Sequence, residues 1–320
     1  MQRTEPLTTP SSFAPQCTGN EGEFFATIEW IAQAECPVPD KSPLVHELSA
    51  EAASANADIL RSCDNDLGKL VEAHQSSTLG CGSELRPMSQ LEPLLRCHPD
   101  FEEFESNHEQ GIDYPLEPID EETRLRNLNA TIERGNHKSA LEEDRRQRVA
   151  KGVTSDVELG YAFALPADCM TAIPGAEVCP LGVQDQTTIS ELGEIIDKKR
   201  VTHDLSHNRH SGESVNQRVR SDELPECKCG HSLLRLLHLI HHLRWTNPGQ
   251  PILANKFDAE KAHRRLHVTA PIAIKCIAVW FLDKMWQGSC QTSEEKAAAV
   301  LARLPFGSSP APPKFCITSM

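Results

Sequence analysis

The sequence predicts a protein of the α+β class, because stretches with a helical pattern and stretches with a strand pattern follow one another along it. Residues Glu121 to Arg134 carry apolar side chains at helical spacing, and a glycine follows them. Residues Asp156 to Pro166 place larger apolar side chains at every second position, which is typical of a strand. The clearest helix is predicted from His231 to Trp245, where leucine and isoleucine side chains form a broad apolar face.

Charge divides the 320 residues into three unequal segments. Residues 1–85 hold 4 Lys/Arg against 13 Asp/Glu, residues 86–196 hold 10 against 22, and residues 197–320 hold 18 against 11. Hydrophobic residues make up 39% of the chain and aromatic residues 5%, which favours a packed core over only part of it.

We therefore expect three regions. Residues 1–83 are predicted to be an acidic, largely disordered leader, with short helices around residues 24–33 and 57–73. Residues 84–196 are predicted to be helical and extended. Residues 197–320 are predicted to be a basic region that carries the chemistry.

The sequence points to an intracellular protein, in the cytoplasm or the nucleus. Its first residues lack the basic and apolar segments of a secretory signal, and no apolar run is long enough to span a membrane. The twelve cysteines are therefore expected to be reduced thiols.

One segment has the residue types that a nucleotidyl-transfer site needs. Apolar residues from Pro251 lead to Phe257 and Asp258, and Ala262 and His263 follow four and five residues after the aspartate. Two-metal polymerases hold Mg²⁺ with carboxylates at strand ends, and magnesium prefers oxygen ligands. Asp258 is therefore a candidate magnesium ligand.

This segment resembles the first catalytic motif of retrotransposon reverse transcriptases, which are RNA-directed DNA polymerases. Two further stretches resemble motifs of that family in the same order. Residues 198–206, followed by the Ser214-Val215-Asn216 turn, are similar to its fingers segment, and residues 304–312 with Phe315 are similar to its next palm motif. Residues 85–95 and 135–139 resemble the region before the polymerase core, so the resemblance covers residues 84–320.

The resemblance implies an incomplete fingers and palm fold and a role for each matching residue. Asp258 is implied as the catalytic carboxylate and Mg²⁺ ligand. The implied nucleotide-binding residues meet the triphosphate, lie under the sugar or line the nucleotide pocket; they are Lys199 and Arg200, Ala262 and His263, and Phe306 and Gly307. The implied partners are an RNA or DNA template-primer and deoxynucleoside triphosphates.

The chain departs from the family pattern at the second carboxylate motif. Neither Tyr114 nor Tyr161 begins a Tyr-x-Asp-Asp sequence, and no Asp-Asp pair occurs in the 320 residues. One carboxylate is poorly suited to holding two metal ions. We expect a core cut off before that motif, and a fragment that is inactive as it stands.

Two other functions remain open from the residues alone. The basic region carries the charge that follows a phosphate backbone, so a non-catalytic nucleic-acid-binding protein is the first alternative. The second is a metal-binding regulatory protein, suggested by a Cys/His cluster. Its two cysteines are separated by one residue, which is closer than in a common zinc site. The cluster comprises Cys227, Cys229, His231, His238, His241 and His242.

Overall fold

The structure is a computed structural model that mixes helices with strands, which confirms the α+β class. It describes residues 42–74, 76, 78–82, 86–190, 192–207, 210, 212–227, 229–253, 261–281 and 296–319. Within these residues, no helix has both the length and the apolar content to cross a membrane.

The centre of the molecule is a four-stranded sheet assembled from two distant parts of the chain. Strands β1 (Ala162–Pro166) and β2 (Val178–Cys179) come from the first part, and β5 (Ile277–Phe281) and β6 (Lys296–Leu301) come from the second. Their order is β1-β6-β5-β2, with antiparallel pairing except between β2 and β5. Every residue of β6 is buried, so helices and loops cover both faces of this strand.

A long antiparallel hairpin continues from β2. Strand β3 (Leu181–Ile189) pairs with β4 (Ile195–His203) over its whole length, from Leu181 opposite His203 to Ile189 opposite Ile195. Asn136 joins the hairpin to the sheet, because its side chain accepts from the amide of Leu181 at 2.7 Å and donates to the carbonyl of Val279 at 3.0 Å. Residues 198–203 of the stretch that resembles the fingers segment therefore lie in β4.

Residues 42–74, which belong to the predicted leader, are folded onto the sheet. They form α1 (Ala50–Ser62) and α2 (Leu67–Ala73), and α1 packs against β1. The fully buried Asn56 explains the attachment: its side chain donates to the carbonyl of Ala164 at 3.0 Å. A disordered segment would make no such fixed hydrogen bond to the sheet. Residues 1–41 lie outside the described residues.

Helix boundaries follow local capping chemistry. Helix α5 (Glu121–Arg134) begins where the Asp120 side chain accepts from the amide of Thr123 at 2.9 Å, and it ends at Gly135, which has a φ of 72°. The predicted bounds are confirmed. Helix α6 (Lys138–Leu141) follows, and α7 (Glu143–Glu158) packs against β1 and the hairpin.

The strand predicted from Asp156 is shorter than expected. Residues 156–158 complete α7, and only residues 162–166 form a strand. Val149, Val153 and Val157 are buried at four-residue spacing on one helix face, so Val157 fits the helical pattern as well as the alternating one. Gly160, at a φ of 71°, lies between the two elements.

Two regions of the described chain stand apart from the main core. Helices α3 (Met88–Leu95), α4 (Phe101–Glu109) and α10 (Ala311–Ser319) meet in a small apolar cluster of their own. Helix α8 (Cys229–Thr246) confirms the predicted helix, but its leucines are exposed, at 63% for Leu233 and 52% for Leu239. Helix α9 (Ala270–Ala273) leads into β5.

Ion pairs join the acidic and the basic segments. The Glu177 carboxylate, whose side chain is only 12% exposed, accepts from Arg218 at 2.5 Å, and its other oxygen lies 3.0 Å from the ammonium of Lys275. Further pairs between the two segments are Arg126–Glu213, Lys199–Asp144, Lys261–Asp156, Arg264–Asp156 and Lys314–Glu103. Among the described residues, at least six cations of residues 197–320 thus pair with carboxylates of the segment before it.

Replacing Glu177 with glutamine tests the weight of this buried pair. The substitution keeps the shape but leaves the Arg218 and Lys275 cations without a counter-charge, so we expect the free energy of unfolding to fall by about 3 kcal/mol. Urea denaturation followed by circular dichroism measures it. The control is Asp58→Asn, which breaks an exposed pair with Arg61 and should leave the midpoint unchanged. Equal effects of the two substitutions would contradict the stabilising role that we assign to the Glu177 carboxylate.

Candidate nucleotide-binding site

Two stretches that resemble different polymerase motifs meet at Asn216. Its side-chain amide donates to the hydroxyl of Ser206 at 2.8 Å and to the carbonyl of Gly307 at 2.7 Å. Its side-chain oxygen accepts from the amide of Ser309 at 2.9 Å. One side chain therefore connects the residues after β4 to the turn that contains Phe306 and Gly307.

Gly307 is seated directly on the end of β4. It has a φ of 105°, and a Cβ built on it would lie 2.0 Å from the carbonyl oxygen of His203. No other residue type fits, because this distance is far below any contact between carbon and oxygen and the backbone conformation favours glycine. The close approach positions Phe306 beside the end of the hairpin.

The predicted pair His263 and Phe306 is in contact. Their ring centroids are 4.6 Å apart at an interplanar angle of 70°, and the ring of Phe315 lies 4.8 Å from the other side of His263. The Phe306 side chain is 46% exposed, whereas His263 is half-buried. An exposed aromatic ring supported in this way is a suitable surface for stacking a base or a sugar.

His263 has an unusual electrostatic environment. Burial, with a smaller contribution from the neighbouring Arg264 cation, lowers the pKa of its imidazole below the ordinary value. Its Nδ1 atom is buried and makes no hydrogen bond to the described residues. The ring is therefore favoured in its neutral form, in contact with the rings of Phe306 and Phe315.

A short 3₁₀ helix, Ala262–Arg265, carries Ala262 and His263, and α7 anchors it. Lys261 and Arg264 both reach Asp156, at 3.1 and 3.2 Å, and Lys261 also donates to the hydroxyl of Ser155 at 2.8 Å. The predicted metal ligand Asp258 lies outside the described residues. The Asp156 carboxylate of α7 is already engaged by these two cations.

Lys199 and Arg200 lie farther along the hairpin. They precede His203 by four and three positions in β4, which places Lys199 about 13 Å from the strand end at the rise of a strand. Lys199 forms an ion pair with Asp144 of α7, and Arg200 is exposed. The structure therefore brings Ala262, His263, Phe306 and Gly307 together at the end of β4, with the two basic residues on the adjoining strand.

A second polar cluster lies beside this site, after β4. Asp204 accepts from Nε2 of His137 at 2.9 Å, while Arg134 lies 3.0 Å from Nδ1 of His137 and 2.8 Å from Nε2 of His207. His137, Asp204 and His207 are the one group with metal-ligand spacing among the described residues. Because the Arg134 cation faces the lone pairs of the His137 and His207 rings, this geometry favours a hydrogen-bond network over a bound metal ion. The two nitrogen ligands also do not suit Mg²⁺.

The cysteine and histidine residues considered for zinc are spread out where the structure describes them. Cys227 contacts Cys316, and His238, His241 and His242 are exposed on α8. The side chains of Cys229 and His231 lie outside what the structure describes. The zinc hypothesis therefore stays a prediction.

His203 is the most perturbed histidine next to the site. Complete burial, with a smaller contribution from the Arg264 cation, lowers its pKa to about 3. The sequence analysis did not select this residue, and its position before Asp204 gives no sign of burial. Asn216 was named only as part of a turn, and asparagine in turns usually bonds to nearby backbone, so its contacts with Gly307 and Ser309 had no local signal.

No protein-family model, no curated protein and no solved structure matches this chain.

Replacing Gly307 with alanine tests the close backbone contact between Gly307 and the end of β4. The new methyl group meets the His203 carbonyl, so the backbone must shift at a cost of about 1–3 kcal/mol beyond the cost of the positive φ. The matched control is Gly249→Ala, where φ is also positive, at 87°, but nothing lies within 4 Å of the added Cβ. Thermal unfolding compares the two. A Gly307→Ala variant as stable as Gly249→Ala would contradict the close approach.

The stability of the fold should depend on pH through His203. Its folded pKa of about 3 lies below the ordinary value of 6.5, so the unfolded chain binds the proton more readily. Stability is therefore complete above pH 6.5 and is lost as the pH falls towards 3. Between pH 7 and pH 5 this histidine alone accounts for about 2 kcal/mol.

Urea unfolding of the wild type and of His203→Gln at several pH values measures this contribution. The variant should lose stability less steeply on acidification, whatever its stability at pH 7. Some slope remains, because burial also lowers the pKa of His46 and of His263. Parallel pH profiles for wild type and variant would show that His203 is not the titrating group.

Proposed function

We propose that the chain is a reverse-transcriptase-like fragment of a retrotransposon that binds nucleic acid and nucleotide without polymerising. The observation that carries this proposal is the bridge by Asn216. It joins the stretch similar to the fingers segment to the stretch similar to a palm motif, 91 positions away at Gly307. The bridge supports the proposal because it brings two stretches that resemble motifs of one family to the same place.

The exposed ring of Phe306 is the proposed contact for a base or sugar. Its orientation is set by Gly307 and Asn216 through the backbone and by His263 through ring packing. Preorganised aromatic rings bind nucleotides at little entropic cost, since few rotations are lost. Arg200, exposed on β4, supplies a cation for phosphate groups.

Catalysis by this chain alone is not part of the proposal. Two-metal transfer needs carboxylates from more than one strand, and no Asp-Asp pair occurs in the 320 residues. When Mg²⁺ is bound, it neutralises the triphosphate and the developing charge. Asp258 is the residue proposed to hold it.

The observations favour this proposal over a general nucleic-acid-binding module. Such a module needs a continuous surface of cations that face solvent. Lys199, Lys261 and Lys314 are instead engaged by acidic residues of the preceding segment.

Binding of a fluorescent RNA–DNA primer-template, followed by anisotropy over a range of salt concentrations, tests the function. Phe306→Ala should weaken binding by about 1–3 kcal/mol, the usual contribution of one stacked base. The matched control is Trp245→Ala, which removes an aromatic ring that is 83% exposed on α8 and is not among the proposed site residues, and should leave affinity unchanged. Equal affinities for the two variants would contradict the proposed site.

Primer extension with Mg²⁺ on the same substrate tests the absence of catalysis. We expect no extended product from the wild type or from Asp258→Ala. Extension by the wild type that is lost in Asp258→Ala would show that the chain is an active polymerase and would overturn this part of the proposal.

A further inference from the structure

Two cysteine thiols from distant parts of the chain touch each other. Cys227 lies in the segment that enters α8, and Cys316 lies in α10; their sulfur atoms are 3.5 Å apart although 89 positions separate them. Cys227 is exposed to solvent, whereas Cys316 is only 3% exposed. One thiol is therefore accessible to a dissolved oxidant, and the other is placed behind it.

The surroundings hold the buried thiol in place and leave the exposed one adjustable. Ile317, next to Cys316, packs against Met88 and Phe104, and Lys314 forms an ion pair with Glu103 of α4. Cys227 lies outside any helix or strand. A disulfide has a sulfur–sulfur distance of about 2.05 Å, so the two atoms need to approach by roughly 1.5 Å. The loop supplies this movement more readily than the helix.

We propose that Cys227 and Cys316 form a reversible disulfide by exchange with a small disulfide such as oxidised glutathione. The Cys227 thiolate attacks one glutathione sulfur, the glutathione disulfide bond breaks, and one glutathione leaves and takes up a proton. The Cys316 thiol then loses its proton and attacks the Cys227 sulfur. The mixed disulfide breaks, and the second glutathione leaves. Two protein thiols are oxidised, and one glutathione disulfide is reduced to two thiols.

The bond joins the base of α8 to α10. The leucines of α8 face solvent in the described structure, so the segment before Cys229 is one of its connections to the body of the molecule. Helix α10 begins four residues after Gly307. Oxidation therefore ties the exposed apolar helix to the element that follows the candidate nucleotide site. This inference does not depend on the proposed function.

Tryptic mapping after oxidation identifies the bond without ambiguity. Cleavage after Arg220 and Lys228 yields the peptide SDELPECK, and cleavage after Lys314 yields FCITSM, each with a single cysteine. Cys229 falls in a different peptide, CGHSLLR. The folded full-length chain is treated with oxidised glutathione, blocked with an alkylating agent and digested without reduction. We expect the linked pair SDELPECK–FCITSM as the main cysteine-linked product.

Two controls separate a built pair from chance encounter. In urea the linked pair should form at least about tenfold more slowly, because the two thiols are then joined only by a long flexible loop. In Cys316→Ser, Cys227 should retain one glutathione, since the thiol that releases it is gone. Persistent glutathione on Cys227 in the wild type, links mainly to Cys229, or equal rates with and without urea would each overturn the proposal.

Discussion

The fold depends on one largely buried carboxylate, that of Glu177. This side chain precedes β2 and meets Arg218 and Lys275, two cations that belong to the later, basic part of the chain. A buried acid is stable only when counter-charges and hydrogen-bond donors replace the water that it has lost. The requirement therefore fixes where the 3₁₀ turn of Arg218 and the loop before β5 lie relative to β2. Strands β2 and β5, which pair in the sheet, begin close to Glu177 and to Lys275, respectively, in the sequence.

This constraint changes the meaning of the charge distribution. Counted along the sequence, an acidic segment precedes a basic one, and the natural interpretation is two modules with different partners. In the structure, the two kinds of charge face each other. Asp156 forms ion pairs with Lys261 and Arg264, and Asp144 forms one with Lys199. Composition counts charges but contains no information on which of them are paired. Only the tertiary arrangement shows that Lys199, Lys261 and Arg264 are paired with acids of the earlier segment.

How much was predictable depended on the range of the interaction involved. The bounds of α5 follow from Asp120 and Gly135, which act on the helix ends next to them, so the sequence was sufficient. The strand predicted from Asp156 began too early, because Val157 satisfies both a helical and an alternating pattern, and the choice was made by packing against β1. The attachment of residues 42–74 through Asn56 crosses 108 positions and has no local signal.

In the candidate site, too, local patterns were predictable and long-range contacts were not. The order of motifs indicated which residues to consider, and four of the six predicted nucleotide-binding residues do lie together at the end of β4. What the sequence lacked was the reason for their geometry. Gly307 allows its backbone to rest on the His203 carbonyl, where any side chain would collide, and Asn216 satisfies the Gly307 carbonyl and the Ser309 amide on either side of the turn. The direction of the exposed Phe306 ring is thus set by backbone contacts beneath it. A ring held in this way needs no rearrangement before a planar ligand stacks on it, and this supports the proposed role of Phe306.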